Sequence, residues 1–356
     1  MVADPSRTVP PSARRTLRRI AAVAGAALVA ALLTAAVPTT ATAAAIHVTD
    51  LGTLGGGVCC SAALDINEAG DIVGWSVTGG DESTPQHAVI WHNGHIRDLG
   101  TLGGRLSRAQ AINKFNTVVG WSLTAGGDQH ATMWRNGQVI DLGTLGGTTS
   151  NATDINNNGG VVGTATDAHG VTFGFIWRNG VMSKLATPPG TTLFPTAIND
   201  HGRIAATLDT DPNSPSHPAR WDNGTAVALT TDPGVTFGLT EHGVITGSVT
   251  HDGVVQGFVF KGGVVVRLPL ATGAAEGEVR DVTNNCHAVG TSLFINGTPF
   301  EPTHWPACGT AKILPGLSGG SDGTGQANAI NETNQIVGFS SLAAGGGGFH
   351  AVLWTS

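Results

Sequence analysis

Val48-Thr49-Asp50-Leu51-Gly52-Thr53-Leu54-Gly55-Gly56 recurs almost unchanged at Asp98 to Gly104 and again at Asp141 to Gly147, with fainter copies toward the C-terminus. Such self-similarity marks a repeat architecture, in which one unit buries its apolar face against the next, so the period is read first. A second anchor lies deeper in each unit, at Ile66-Asn67, Ile112-Asn113, Ile155-Asn156, Ile198-Asn199, Leu239-Thr240, Val282-Thr283 and Ile330-Asn331. These seven anchors are 46, 43, 43, 41, 43 and 48 residues apart. The spacing suits four-stranded propeller blades and is too long for leucine-rich repeats.

The first unit gives the layout. An inner strand over Ala62 to Asn67 meets the turn Asn67-Glu68-Ala69-Gly70, and a second strand follows at Asp71 to Val77 with Ile72-Val73-Gly74-Trp75-Ser76. A third strand over His87 to Trp91 reaches Asn93-Gly94, the pair that a type I′ hairpin favours because both central residues need positive φ. His95 to Leu99 is the fourth strand. Asn-Gly returns at 136, 179 and 223, two residues after a Trp each time. Each unit therefore reads as an antiparallel meander, and no helical period appears after Val48.

The last unit stops at a third strand, His350 to Trp354, while Ile46 to Gly52 resembles a fourth strand with no blade before it. Complementary fragments at two ends suit a ring that closes by pairing them and removes its exposed edges. The expected fold is all-β: a seven-bladed β-propeller of four-stranded blades, closed by the N-terminal strand. The expected domain spans 46–356, with units at about 57–104, 105–147, 148–190, 191–234, 235–273, 274–319 and 320–356 plus the closing strand 46–56. Ala63, Ala109, Ala152 and Ala327, three residues before their anchors, suit inner strands crowded about an axis.

Residues 1–45 read as a secretory signal peptide: Arg14, Arg15, Arg18 and Arg19 precede an apolar run from Ile20 to Val37 and a small-residue exit at Ala41-Thr42-Ala43. Either the general or the twin-arginine route could carry it. Removing the leader takes five arginines and one aspartate from 18 basic and 25 acidic residues, leaving 13 against 24, a net charge of −11. That balance argues against a nucleic-acid partner. The mature chain is expected to be extracellular, with no stable membrane span once the leader is cleaved.

Asp-Leu-Gly-Thr-Leu-Gly-Gly, Ile-Asn-x-x-Gly, Val-Val-Gly-Trp-Ser and His-Ala-x-x-Trp, recurring in fixed order, resemble the HAF repeat family of probable extracellular repeat proteins. The resemblance covers essentially all of 46–356. The naming triplet His-Ala-Phe stands here as His87-Ala88-Val89, His130-Ala131-Thr132 and His350-Ala351-Val352, and the middle units diverge most. The resemblance implies a secreted bacterial repeat protein of undefined activity and transfers no catalytic residue.

Three sets of polar residues are candidate sites. With Asn93-Gly94 as the turn, Val89 faces Asp98, and His87 sits diagonal to Asp98 on the same face, within bridging reach. The same offsets pair His130 with Asp141 and, across the closure, His350 with Asp50. These read as repeated structural hydrogen bonds rather than a metal site or general base, because histidines spaced one per blade cannot converge on one ion. Units three and four lose the pair, with Phe173 opposite Lys184 and His217 opposite Ala228. Asp65, Asp154 and Asp281 share one inner-strand position and, facing a central channel, could act as acid and base or ligate Ca²⁺. The structural alternative is that such Asx residues satisfy the neighbouring hairpin. The tryptophans at 91, 134, 177, 221, 305 and 354 read as interblade core.

The four cysteines sort by end of the ring. In a meander the first and third hairpins share one end. Cys286 replaces the turn glycine equivalent to Gly70, and Cys308 falls in the third hairpin of the same unit, so a Cys286–Cys308 disulfide is expected. Cys59 and Cys60 lie at the opposite end, either bonded to each other or free. No cofactor and no metal are expected. The function expected is a non-enzymatic scaffold that binds an extracellular protein or glycan, and the alternative is a secreted glycoside hydrolase or lyase using the channel acids.

Overall fold

The computed structural model describes residues 45–356 except 58, 80–82, 211–213, 295–299, 318–323 and 344–345. Almost all of the expected leader lies outside the described residues.

The chain forms seven antiparallel four-stranded sheets. In blade one the strands are Ser61–Ile66, Ile72–Val77, Gln86–His92 and His95–Asp98, numbered here from the axis outward. The inner strands of blades two to seven are Gly103–Ile112, Gly146–Ile155, Thr192–Ile198, Gly234–Leu239, Glu276–Val282 and Gly325–Ile330. The outermost strand of blade seven is His47–Asp50, paired with Gly346–Thr355 in the register His47 to Thr355 and Asp50 to Val352. The N-terminal strand thus closes the ring, as the sequence implies.

Each blade packs on the next through apolar residues. Ala63, Ile66, Ile72, Val89 and Trp91 of blade one meet Ala329, Val337 and Ala351 of blade seven in one buried cluster. Trp91, Trp305 and Trp354 are almost wholly buried. Each indole N–H donates across a blade boundary to a linker carbonyl, Trp91 to Leu51 at 2.9 Å and Trp354 to Pro315 at 2.7 Å, so the buried ring carries no unpaired donor. Gly74 of Ile72-Val73-Gly74 has no room for a side chain, because a Cβ would collide with the Ala62 carbonyl of the inner strand.

One feature repeats in every inner strand: the register with the second strand slips just before the anchor, in blade one between Ala63 and Asp65 and in blade seven between Ala327 and Ala329. The other five blades slip at the same place. This β-bulge adds one residue per inner strand and re-aims side chains. It turns the residue two before each anchor toward the axis.

Candidate functional site

The seven bulge residues Leu64, Gln110, Thr153, Thr196, Phe237, Arg280 and Asn328 line one cavity of about 250 Å³, one from each blade. Anchors, turns and tryptophans are nearly invariant around the ring, yet this position changes residue type from blade to blade. The channel wall is one of the places where the repeat is broken. Sequence reading passed over it, because the column four before the anchor, Ala62, Arg108, Asn151, Phe194, Val235, Glu278 and Gln326, varies as much and variability alone does not single out the channel.

Some of these side chains are spoken for. Thr153 Oγ1 donates to the Pro195 carbonyl at 3.0 Å, and Asn328 Nδ2 to the Ala63 carbonyl at 2.8 Å, tying neighbouring blades. Arg280 is different. Its guanidinium lies 4.9 Å from the Phe237 ring centre, 3.4 Å from Glu278 Oε2 and 3.0 Å from the Gln326 amide when that amide turns its oxygen inward. Burial lowers its pKa, although the group remains charged at any ordinary pH. A desolvated fork of donors beside an aromatic face can orient a polar ligand.

The three candidate acids sit one step deeper, and both oxygens of each are engaged. Asp65 Oδ1 accepts from Ile66 N–H and Oδ2 from Ile112 N–H of the next blade, both at 2.8 Å. Asp154 accepts from Ile155 and Ile198, and Asp281 from Val282 and Ile330, in the same manner. The bulge leaves an amide unpaired and the carboxylate fills it while bridging to the neighbour, so an amide side chain, with one acceptor, would not serve. The next blade carries a small residue at the same position, Ala111, Ala197 or Ala329, which leaves the oxygen a clear path.

The three aspartates are part-buried and crowded by protein, none of them lines the cavity, and crowding decides their ionisation. Burial pushes Asp65 up to about 7 and Asp281 to about 6, and lifts Asp154 well above the usual carboxylate range. The backbone N–H groups oppose the rise, and mutual repulsion adds to it.

The Asn residues of the anchors act between blades as well. Asn67 Oδ1 accepts from Ala69 and Asp71 N–H in its own turn, and its Nδ2 donates to the Asn113 carbonyl of blade two. Asn113, Asn156, Asn199 and Asn331 continue the belt, the last reaching Asn67 across the closure. Thr240 and Thr283 accept within their turns, through Val244 and His287 N–H.

The His–Asp pairs lie at the outer part of the ring. His87 Nδ1 is 2.7 Å from Asp98, His130 Nδ1 2.8 Å from Asp141, and His350 Nδ1 2.9 Å from Asp50 across the closure. The pair expected to be lost in blade three is replaced in kind: Lys184 Nζ lies 3.4 Å from the Phe173 ring centre and 3.2 Å from Asp167. A double-mutant cycle on His350→Ala and Asp50→Ala should give a coupling of about 0.5–1 kcal/mol for this partly buried pair; strict additivity would mean no energetic contact.

Cys286 is bonded to Cys308, and Cys59 to Cys60. The vicinal pair is buried with Ala62, Trp75 and Val77 in an apolar cluster against which Phe339 and Phe349 pack.

No family model matches the chain, and no curated protein does. Solved structures are similar at the level of fold. TolB from Acinetobacter baumannii shares 10% identity over 80% of each chain, with a TM-score of 0.44. The β-propeller domain of the Trilobed protease from Pyrococcus furiosus shares 12% identity over 70% of this chain and 81% of that one, with a TM-score of 0.48. A puromycin hydrolase mutant complexed with PGG shares 12% over 79% of this chain and 50% of that one, with a TM-score of 0.50. At such identities the likeness speaks for the fold alone.

Proposed function

We propose that this chain is a secreted, non-enzymatic binding module of the HAF repeat type, which takes a segment of an extracellular protein or glycan at its axial channel. The observation that carries the reading is the channel wall. Six residue types over seven blades line it, whereas the anchor residue two places on is aliphatic in all seven. A lining of mixed polar, charged and aromatic side chains that converge from seven blades suits a surface that contacts something other than the neighbouring blade.

The hydrolase reading has one observation in its favour, since Asp65 at about 7 and Asp281 at about 6 lie where a general acid works best. Their geometry favours the structural role. Each oxygen is already held by a backbone N–H, and the same device occurs three times without a symmetry-breaking partner.

Two measurements separate the readings. The full chain is screened against cell-wall glycans and secreted proteins, and Arg280→Ala with Phe237→Ala is expected to weaken the captured ligand at least about tenfold, as expected for a buried Arg–aromatic anchor, with the melting temperature kept. The same chain incubated with polysaccharide and peptide libraries is expected to show no turnover. Saturable hydrolysis that disappears in the Asp65→Asn, Asp154→Asn, Asp281→Asn triple variant would establish the enzyme instead.

A further inference from the structure

Blade six departs from the other blades at Cys286, His304 and Cys308, and His287, in a turn column that differs in every blade, lies beside them. Cys286 and His287 stand in the first hairpin, where blade one has Gly70 and Asp71. His304 stands in the third strand, where blades one, two, three, five and seven place Ile90, Met133, Ile176, Val259 and Leu353. Cys308 follows four residues later, and its bond to Cys286 ties the turn that carries His287 to the end of the strand that carries His304. An imidazole at an apolar column is costly unless it has a partner.

The partner is the other histidine. His287 Nδ1 lies 3.3 Å from His304 Nε2, with ring planes 29° apart, and one shared proton gives the hydrogen bond between them. Both rings line a cavity of about 100 Å³ at the seam of blades six and seven, together with Asn334, Ile336 and Trp354. Two ligands held at about 2.0–2.1 Å from one ion at a tetrahedral angle stand about 3.3–3.4 Å apart. The nitrogens are spaced as one edge of that tetrahedron.

We infer that His287 Nδ1 and His304 Nε2 form a two-imidazole site for a divalent transition metal of the zinc and copper class, opening into the cavity between blades six and seven. Imidazole nitrogens suit these ions, and the disulfide holds the two ligands at their spacing before any ion arrives. An ion displaces the shared proton to the far nitrogen of its own ring, so that both facing nitrogens present lone pairs. Among the described residues no third histidine, cysteine or carboxylate joins the pair. The remaining positions fall to water and the Asn334 amide in the same cavity. Lys312, paired with His304 across the strands, opposes the added charge and keeps the site weaker than a closed four-ligand one.

The test is calorimetric. Zinc and copper(II) are titrated separately into the untagged, disulfide-bonded full chain at about pH 7.5 in a non-coordinating buffer. One saturable site is expected. His304→Leu, the residue blade seven uses, and His287→Gln, as at Gln335, should each weaken it at least about tenfold, whereas His92→Gln at the surface should leave it unchanged. Thermal melting checks that the variants fold, and if His304→Leu does not, His287→Gln at its turn position decides. No saturable binding by the unaltered chain, or an affinity within about twofold of it in a folded variant of either histidine, would overturn the site.

Discussion

A chain beginning at Gly57 is expected to aggregate or to melt about 8–10 °C below the chain that keeps residues 46–56, because a ring that loses its last strand loses its closure. The loss is not confined to the ladder of His47–Asp50 with Gly346–Thr355. Leu51 and Leu54 pack against the Trp91 cluster, the Trp91 indole donates to the Leu51 carbonyl, and the Ser61 hydroxyl donates to the Gly52 carbonyl. Asp50 also leaves His350 without its carboxylate. In all, blade seven gains a bare edge over Val352–Thr355, the four residues that His47–Asp50 pairs with, while blade one loses part of its floor. A deficit of about 4–5 kcal/mol at roughly 2 °C per kcal/mol for a domain of this size gives the expected shift. Scanning calorimetry with light scattering reads both outcomes. Equal melting temperatures and no scattering would mean that the strand does not close the ring.

Removing the Cys286–Cys308 bond as Cys286→Ser with Cys308→Ser is expected to cost about 3 kcal/mol, the loop-closure value for a span of 22 residues. Part of that cost should be recoverable. Cys286 sits at φ +65, where four other blades place glycine at the equivalent turn position, Gly70, Gly159, Gly202 and Gly243. Cys286→Gly with Cys308→Ser relieves the Cβ and should therefore be about 1 kcal/mol more stable than the double serine variant. Urea unfolding under oxidising conditions measures both differences. A double serine variant as stable as the parent would show that the bond closes no loop that matters, and equal stability of the two variants would remove the turn argument.

Much of this was legible in the chain. The anchors at Ile66-Asn67 and its six counterparts, Asn93-Gly94, and the complementary ends Ile46 to Gly52 and His350 to Trp354 carry the blade, its turns and the closure, because turn chemistry and period-two patterning act over a few residues. The His87–Asp98 diagonal followed from one hairpin register, and Cys286–Cys308 from the alternation of hairpin ends.

The channel was not legible. Period two assigns Leu64 and Asp65 to opposite faces, and only the bulge, a departure from that period, turns Leu64, Phe237 and Arg280 to the axis and lets Asp65 bridge to Ile112. Likewise nothing in the spacing of His287 and His304, 17 residues apart, says that their nitrogens meet. The sequence by itself determined the repeat, its count and its closure, since each rests on contacts within one unit or between matching ends. The tertiary structure alone decided which side chains share the axis and the blade seams, because those neighbours come from different units, and their distances depend on how far each inner strand is bent.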